Sequence, residues 1–321
     1  MIIRLIGSLV VMVLLATSPT AVAQDYPARM IKIIVPFTPG GTSDLLAREV
    51  AHNLTNDWGQ SVVVENRPGA GGAIGTAEVA RSTPDGYTLL MGSSAALAIG
   101  PYLTKEMPYD PARDFKPISL VAQIQNLLVV NPTVPVKTVS ELLAYAKSHR
   151  MIVGNYGIGS SPHMSAEMFE KMGGIEMTNV PFRGAPEAMT EILAGRLNLI
   201  FDNLPSALPM AKSGKLVAIA VSGSHRSALV PDVPTVAESG LPGFDVTTWY
   251  GLVAPASVPD DIVNKLSAEV ATILARPDVR ERLTTAGTEP QSMTPQEFAT
   301  FIGGEQAKWR KLIADAGLTL N

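Results

Sequence analysis

Segments typical of β-strands alternate with segments typical of helices over most of the chain, and this alternation constrains the fold more than any other feature. Runs rich in Val and Ile, such as residues 30–37 and 151–156, are each followed by a helical pattern. Such alternation predicts parallel strands connected by helices, and therefore an α/β fold. A helical tail follows over residues 259–275 and after the capping box Thr294-Pro295-Gln296-Glu297.

The alternating segments form two sets, which predicts two domains. The polar stretch Gln123-Ile124-Gln125 separates apolar strands predicted at 115–121 and 126–130, and we interpret it as a crossing between domains. An apolar strand at 247–254 is interpreted as the return. With 321 residues, of which 46% are hydrophobic, the chain is long enough for two cores. The predicted division is a signal peptide at 1–23, a first domain at 24–123 plus 247–321, and a second domain at 124–246.

The first 23 residues have the pattern of a secretory signal. Arg4 precedes an apolar run of 11 residues from Leu5 to Leu15, and Ala21-Val22-Ala23 offers a small-residue cleavage site. A membrane-spanning helix needs about 20 apolar residues, so this run is too short to span a bilayer with ease. We therefore expect cleavage after Ala23 and export to the periplasm. The alternative is an uncleaved N-terminal anchor.

The charge of the chain argues against several partners. Arg4 is the only charged residue in the predicted signal, so the mature chain has 24 basic and 29 acidic residues and a net charge of −5. This mild acidity does not support nucleic acid or an anionic membrane as a partner. The chain has no Cys and its four His are scattered, so we expect no metal site and no cofactor.

The turn after the first predicted strand has the features of an anion site. Residues 33–35 lead into a Pro- and Gly-rich turn that opens directly onto a helix. Backbone N–H groups at such a helix start point towards one place, with the positive end of the helix dipole behind them. Glycine also allows close approach of a ligand. The predicted ligand contacts of this turn are Phe37, Thr38, Pro39, Gly40, Gly41, Thr42 and Asp44.

A second strand-to-helix turn covers residues 156–163 and has a similar composition. Its glycines permit close approach, and its Ser hydroxyls offer hydrogen bonds. Ligands of open α/β sheets bind at the carboxyl ends of strands, so we expect the two turns to face each other across a cleft. The alternative is that both are ordinary tight connections. The predicted contacts here are Tyr156, Gly157, Gly159, Ser160, Ser161 and His163.

Other candidates lie at further strand ends. The run from Gly69 to Gly75 resembles a dinucleotide fingerprint, but Ile74 occupies the place of its third glycine, so we interpret the run as a cleft lining. Arg183 follows a strand and is a candidate partner for a ligand carboxylate, or for Glu187 in a salt bridge. These positions add Gly71, Ser93, Ser94, Arg183, Asp202 and Asn203 to the predicted ligand site.

An exported hydrolase is a weaker interpretation of the same residues. Ser160, His163 and Asp202 have the chemistry of a nucleophile, a base and an orienting acid. However, no Gly-x-Ser-x-Gly segment is present, and the Ser and His candidates lie together at one helix start. The sequence therefore favours a binding protein over an enzyme.

Several motifs together resemble the Bug-type extracytoplasmic solute receptors of tripartite tricarboxylate transporters. They extend over nearly the whole mature chain. In the first half they are Val35-Pro36-Phe37 with Pro39-Gly40-Gly41, Glu65-Asn66-Arg67-Pro68-Gly69-Ala70-Gly71-Gly72, Pro108-Tyr109-Asp110-Pro111, and Gly159-Ser160 with His163. In the second half they are Val180-Pro181-Phe182-Arg183-Gly184, Phe201-Asp202, Pro231-Asp232-Val233-Pro234-Thr235, Trp249 with Gly251, and Ala307-Lys308-Trp309.

The resemblance implies a two-domain periplasmic-binding-protein fold of the Venus-flytrap, type II-like kind, each domain a mainly parallel sheet flanked by helices. It implies a monomer that captures a small organic acid, such as a di- or tricarboxylate, an amino acid or an aromatic acid. The two turns would grip the carboxylate, and the closed form would deliver it to membrane permease subunits of the transporter. A receptor that acts on a signalling partner instead of a permease remains the alternative.

Overall fold

The computed structural model describes residues 26–104 and 106–317, so the predicted signal at 1–23 lies outside the described residues. The strands are β1 (Ile31–Val35), β2 (Val62–Asn66), β3 (Thr88–Ser93), β4 (Phe115–Val130), β5 (Met151–Asn155), β6 (Met177–Pro181), β7 (Leu199–Asn203), β8 (Val217–Val221), β9 (Thr247–Pro255) and β10 (Glu289–Pro290).

Helices alternate with these strands and form the tail. They are α1 (Thr42–Trp58), α2 (Ala73–Ala80), α3 (Gly100–Leu103), α4 (Pro111–Asp114), α5 (Val139–Ala146), α6 (Ser161–Gly173), α7 (Ala185–Leu193), α8 (Leu204–Lys212), α9 (Asp260–Ala275), α10 (Pro277–Thr285) and α11 (Pro295–Ala316). A 3₁₀ turn over Ala70–Gly72 precedes α2, and a π-helical turn over Ala95–Ile99 precedes α3. Among the residues given above, no helix is both long and apolar enough to cross a membrane.

The strands form two sheets that share strand β4. The first sheet has the order β2-β1-β3-β9-β4-β10, and the second has the order β8-β4-β7-β5-β6. Strands β1, β2 and β3 are parallel, as are β5, β6 and β7, whereas β4 and β9 run antiparallel to their neighbours. The predicted α/β fold is confirmed, with a mixed rather than mainly parallel sheet.

Strand β4 corrects one expectation, because the two strands predicted on either side of Gln123-Ile124-Gln125 form one strand of 16 residues. Residues 115–125 pair with β9 in the first sheet, and residues 126–130 pair with β7 and β8 in the second. Side chains alternate between the faces of a strand, so Ile124 is buried on one face while Gln123 and Gln125 lie on the other. The polar residues therefore do not interrupt the strand.

Helix α1 shows how the sequence positions the first turn. Its apolar residues Leu46, Val50 and Leu54 recur at helical spacing, are fully buried, and pack with Ile33 and Leu89 of the first sheet. This packing fixes the start of α1 at the carboxyl end of β1. The turn between β1 and α1 therefore lies at the sheet edge where α/β proteins bind ligands.

Candidate functional site

Asp44 holds the first turn in shape. Its carboxylate accepts hydrogen bonds from the Gly40 N–H at 3.0 Å, from Arg48 Nε at 2.9 Å and from Asn66 Nδ2 at 3.0 Å. Asn66 Nδ2 also donates to the Phe37 carbonyl at 3.0 Å. Burial would raise the pKa of Asp44, but the hydrogen bonds from Arg48, Gly40 and Asn66 outweigh burial and lower it. Asp44 is therefore ionised and fully engaged by the protein.

The start of α1 leaves backbone donors without intrahelical acceptors. Gly41 is the N-cap residue and has no side chain with which to cap the helix. The first intrahelical hydrogen bond runs from the Leu45 N–H to the Gly41 carbonyl, at 3.0 Å. The N–H groups of Thr42, Ser43 and Asp44 precede that bond, so the helix itself offers them no partner. They lie at the positive end of the helix dipole, which stabilises an anion.

The second turn differs from the expectation, because most of its N–H groups are already engaged. The N–H of Tyr156 donates to Ser160 Oγ at 3.3 Å, that of Gly157 to Asn155 Oδ1 at 2.8 Å, that of Ser160 to the Gly157 carbonyl at 3.1 Å, and that of Gly159 to His163 Nδ1 at 3.4 Å. This turn therefore presents side chains rather than free N–H groups to the cleft, namely those of Tyr156 and Ile158.

A chain of polar side chains holds the second turn from behind, and we call it the Asn155–Asn179 network. Asn155 Nδ2 donates to Asn179 Oδ1 at 3.2 Å, and Asn179 Nδ2 donates to Glu167 at 3.1 Å and to Glu170 at 2.9 Å. Glu167 Oε1 lies 3.5 Å from His163 Nε2. The network thus connects Asn155, which accepts the Gly157 N–H, with His163, which accepts the Gly159 N–H.

Burial shifts the ionisation of this network. Burial lowers the pKa of His163 to about 4, so the imidazole is neutral at physiological pH. Burial also raises the pKa values of Glu167 and Glu170. Because His163 Nδ1 accepts the Gly159 N–H, its proton lies on Nε2 and faces Glu167. His163 is therefore a positioning residue for the turn.

Glycines allow the two sheets to approach closely. A Cβ atom on Gly71 would lie 2.5 Å from the Ile158 carbonyl oxygen, and one on Gly157 would lie 3.2 Å from the Gly71 Cα atom. A Cβ atom on Gly159 would lie 3.3 Å from the Gly100 Cα atom. The segments that follow β2 and β3 therefore face the turn after β5 across one cleft, which is closed to the point of backbone contact.

A small polar cavity of about 20 Å³ lies between the turns. It is lined by Phe37, Thr38, Gly41, Thr42, Ser43, Tyr156, Gly184, Ala185, Asn203 and Tyr250. The hydroxyl oxygens of Thr38, Thr42 and Tyr156 are buried there and have no hydrogen-bond partner among the described residues. Buried polar groups are nearly always paired, so three free hydroxyls at one place indicate a site for a bound acceptor. The volume suits one water-sized group.

Hydrogen-bonded side chains form the floor of this small cavity. Asn203 Nδ2 donates to the Tyr250 hydroxyl at 2.8 Å, and Ser161 Oγ donates to Asn203 Oδ1 at 3.3 Å. Burial raises the pKa of Tyr250, so its hydroxyl stays protonated. Ser161 Oγ also lies 3.3 Å from Asn126 Oδ1 of β4. The floor is thus connected by hydrogen bonds to β4, which both sheets share, to β7 of the second sheet and to β9 of the first.

Asp202 lies beneath the floor and is fully buried. Neither carboxyl oxygen has a hydrogen-bond partner of ordinary geometry in the described chain. Burial raises the pKa of Asp202 to about 7, and the nearby Ser206 hydroxyl and Asn203 N–H offset this only in part. A substantial fraction of Asp202 is therefore protonated at neutral pH.

A larger cavity of about 600 Å³ adjoins the small one, and Tyr156 lines both. Its lining is mostly apolar and consists of Gly69, Ala70, Gly71, Gly72, Ala73, Ile74, Ala95, Gly100, Thr104, Glu106, Met107, Pro108, Tyr109, Tyr156, Gly157, Ile158, Pro181, Phe182, Arg183 and Glu187. Glu187 accepts the backbone N–H of Arg183 at 3.1 Å, and no ion pair joins the two side chains in the described structure.

The predicted site residues divide into three groups. Those that line the small cavity are Phe37, Thr38, Gly41, Thr42, Tyr156 and Asn203. Those that line the larger one are Gly71, Tyr156, Gly157 and Arg183. Those that line neither are Pro39, Gly40, Asp44, Ser93, Ser94, Gly159, Ser160, Ser161, His163 and Asp202. The Ser94 hydroxyl instead shares a hydrogen bond with the Thr248 hydroxyl of β9 at 2.8 Å, and Ser93 Oγ accepts the Ala96 N–H of the following π-helical turn at 3.4 Å.

Sequence reasoning missed Ser43, Gly184, Ala185 and Tyr250, which also line the small cavity. A signal for two of them was present, because Gly184 and Ala185 form a third glycine-containing turn from a strand, β6, into a helix, α7. Tyr250 lies within β9, where no local pattern distinguishes it from a core residue. Its role depends on how β9 crosses the molecule.

The hydrolase candidates do not form a catalytic arrangement. Ser160 Oγ accepts backbone N–H groups of Tyr156 and His163, and Ser161 Oγ donates to asparagine side chains. His163 Nε2 faces Glu167 rather than a serine. Among the described residues, neither the Ser160 nor the Ser161 hydroxyl is hydrogen-bonded to a histidine ring, as nucleophilic catalysis requires.

The mixed sheets and the cleft between strand-to-helix turns define the class of periplasmic solute-binding proteins. The chain belongs to the tripartite tricarboxylate transporter family receptor (TctC) family, whose profile matches residues 46–318. Members of this family are solute-binding receptors of the periplasm rather than enzymes. The resemblance that the sequence motifs indicated is thereby confirmed.

Named relatives give the same result. The chain is 36% identical to the protein BugT of Bordetella pertussis over 301 residues, which is 93% of this chain and 92% of BugT. Among solved structures, R. palustris Rpa4515 with adipate matches with a TM-score of 0.90 at 36% identity, covering 92% of this chain and all of that one. MatC from Rhodopseudomonas palustris with bound malate matches with a TM-score of 0.86 at 34% identity, covering 90% of this chain and all of that one.

Proposed function

We propose that the chain is a periplasmic receptor that captures a small organic carboxylate, with the carboxylate group held at the small cavity, and delivers it to the permease of a tripartite tricarboxylate transporter. The observation that carries the proposal is the group of three buried, unpartnered hydroxyls of Thr38, Thr42 and Tyr156 beside the free N–H groups at the start of α1. All of these groups donate hydrogen bonds, as a carboxylate requires.

Recognition by neutral donors suits a receptor that must also exist without ligand. A buried cation would be costly when the site is empty, whereas hydroxyls and N–H groups cost much less. The adipate and malate named for the two structural neighbours are both carboxylates, which supports this ligand class. The contacts that we assign to the carboxylate come from Thr38, Thr42 and Tyr156.

Ligand capture is proposed to occur by closure of two domains. We assign residues 24–123 plus 247–321 to one and residues 124–246 to the other, because β4 passes from the first sheet into the second near residue 125 and the chain returns to the first sheet at β9. A ligand that contacts both sides of the cleft shifts the equilibrium towards the closed form by its differential affinity. Export with removal of residues 1–23 belongs to the same proposal.

The test is a thermal-shift and calorimetric comparison of acids with their amides on the mature chain. Adipate, malate and hexanoate serve as probes, and adipamide, malamide and hexanamide serve as neutral controls of similar shape. We expect an acid to raise the melting temperature in proportion to ln(1 + [L]/Kd), with no effect of its amide. Equal binding of an acid and its amide, or failure of all three acids to bind, contradicts a carboxylate receptor.

A further inference from the structure

The larger cavity is lined in part by large apolar side chains that remain exposed to water. Ile74 is 56% exposed and Ile158 is 46% exposed, and both line this cavity. Ile74 follows the Ala70–Gly72 turn of the first sheet, and Ile158 lies in the turn after β5 of the second. An apolar group between them would be shielded from water on two sides, which is a favourable exchange.

The larger cavity adjoins the proposed carboxylate position. Tyr156 lines both cavities, and its hydroxyl is buried with no hydrogen-bond partner among the described residues. The small cavity of about 20 Å³ has room for about one water-sized group, so the body of a ligand anchored there has to lie outside it, and the larger cavity is the neighbouring space. The larger volume of about 600 Å³ lies within the usual range for ligand pockets.

The charges around the larger cavity do not favour a second carboxylate. Among residues 26–104 and 106–317, three charged side chains line it, namely Glu106, Arg183 and Glu187, and these three sum to one negative charge. The two carboxylates oppose a further anion, whereas Arg183 alone favours it. All three side chains are exposed, so water screens the attraction and the repulsion alike, and these residues provide no net attraction for a second carboxylate. The rest of the lining is mostly alanine, glycine, proline and large apolar residues.

From these observations we infer that the ligand is a monocarboxylate with an apolar body, either an aliphatic chain or an aromatic ring. This inference rests on the proposed function and makes it more specific. The carboxylate bonds to Thr38, Thr42 and Tyr156, and the body lies between Ile74 and Ile158. The chain would thereby differ in specificity from neighbours whose structures contain the dicarboxylates adipate and malate.

The experiment compares acids by isothermal titration calorimetry on the mature chain. Butanoate, hexanoate and octanoate vary the length of the body, and adipate differs from hexanoate only by a carboxylate in place of the terminal methyl. We expect affinity to rise by roughly fourfold per buried methylene, which is about sixteenfold between butanoate and hexanoate. Hexanoate should bind at least tenfold more tightly than adipate, and 1-hexanol, which lacks the carboxylate, should not bind measurably.

Matched variants locate the effect. Ile74→Ser combined with Ile158→Ser should abolish most of the gain with chain length while butanoate binding changes less than threefold. Leu193→Ser is the control, since Leu193 is 39% exposed and lines neither cavity. Acids that bind with no gain on lengthening, or adipate that binds as tightly as hexanoate, overturn this inference and leave the proposed function intact. Failure of every acid to bind overturns the proposed function and this inference together.

Discussion

Gly184 and Thr38 are in contact across the cleft, so closely that a methyl group on Gly184 would overlap the Thr38 side-chain oxygen. Gly184 has an extended backbone, with φ of 169°, which any residue adopts. The backbone conformation therefore does not require glycine here. Glycine is required because the turn before α7 lies too close to the turn after β1 to leave room for a side chain. The closed cleft depends on this position.

Gly184→Ala should hold the cleft partly open. Since the added methyl meets Thr38 only when the cleft is closed, we expect a loss of carboxylate affinity of at least tenfold with little change in unfolding temperature. Titration calorimetry measures the first, and small-angle scattering should show a larger radius of gyration in the presence of ligand. Gly303→Ala is the control, because Gly303 lies in α11 with open space around its Cα. Unchanged carboxylate affinity in Gly184→Ala would show that ligand binding does not depend on closure of the cleft at this contact.

Tyr156→Phe should weaken binding without weakening the fold. The Tyr156 hydroxyl is buried and unpartnered among the described residues, so its removal costs no internal hydrogen bond and can raise stability slightly. If a carboxylate accepts from it, affinity should fall by about tenfold, since a hydrogen bond to a charged group contributes about 1.5–3 kcal/mol. Calorimetry and thermal denaturation together separate the two effects.

Tyr26→Phe provides the opposite pattern and is the matched control. The Tyr26 hydroxyl donates to the Gly86 carbonyl at 2.7 Å, so its loss should reduce the free energy of unfolding by about 1 kcal/mol. Carboxylate affinity should stay within about threefold, because Tyr26 lines neither cavity. A fall in affinity as large as that of Tyr156→Phe would contradict the assignment of the small cavity.

Asn179→Ala should loosen the second turn. Asn179 connects Asn155 with Glu167 and Glu170, and Asn155 is the acceptor of the Gly157 N–H. We expect faster hydrogen exchange of the backbone amides of Gly157 and Gly159 and weaker ligand binding, as the position of Tyr156 becomes less defined. Asn264→Ala, at an exposed position of α9, is the control. Unaltered exchange at both glycines would show that the Asn155–Asn179 network does not position the turn.

Asp202→Asn should alter how stability depends on pH. Since burial raises the pKa of Asp202 to about 7, the folded state binds this proton more tightly than the unfolded state does. The contribution of Asp202 to stability is therefore greatest below pH 4 and is lost as the pH rises towards 7. The variant should melt at a higher temperature than the original chain at pH 8, with the difference shrinking or reversing near pH 4. Parallel melting curves across this range would contradict a protonated Asp202.

Much of the fold follows from local signals in the sequence. The capping box at Thr294 is confirmed, because Thr294 and Glu297 bond to each other's backbone N–H and α11 begins there. Helix α8 gave no such signal, since Pro205 and Pro209 within nine residues look like an interruption. Pro205 lies in the first turn, where its missing N–H costs nothing, and tertiary packing compensates for Pro209.

The site was predictable where it depends on turns and unpredictable where it depends on pairing between distant strands. Glycine and helix-cap residues identified both turns, and Thr38, Thr42 and Tyr156 were among the predicted contacts. The sequence did not show that the N–H groups of the second turn would be engaged by Asn155 and His163, because those bonds depend on side-chain geometry. Nor did it indicate Tyr250, which the antiparallel crossing of β9 brings to the cleft.

The most direct test of the account is a crystal structure of the mature chain with hexanoate. We predict that the carboxylate accepts hydrogen bonds of about 2.5–3.0 Å from the hydroxyls of Thr38, Thr42 and Tyr156, with the chain between Ile74 and Ile158. A carboxylate bound elsewhere, with these three hydroxyls still unpartnered, would contradict the central claim that they form the anion site.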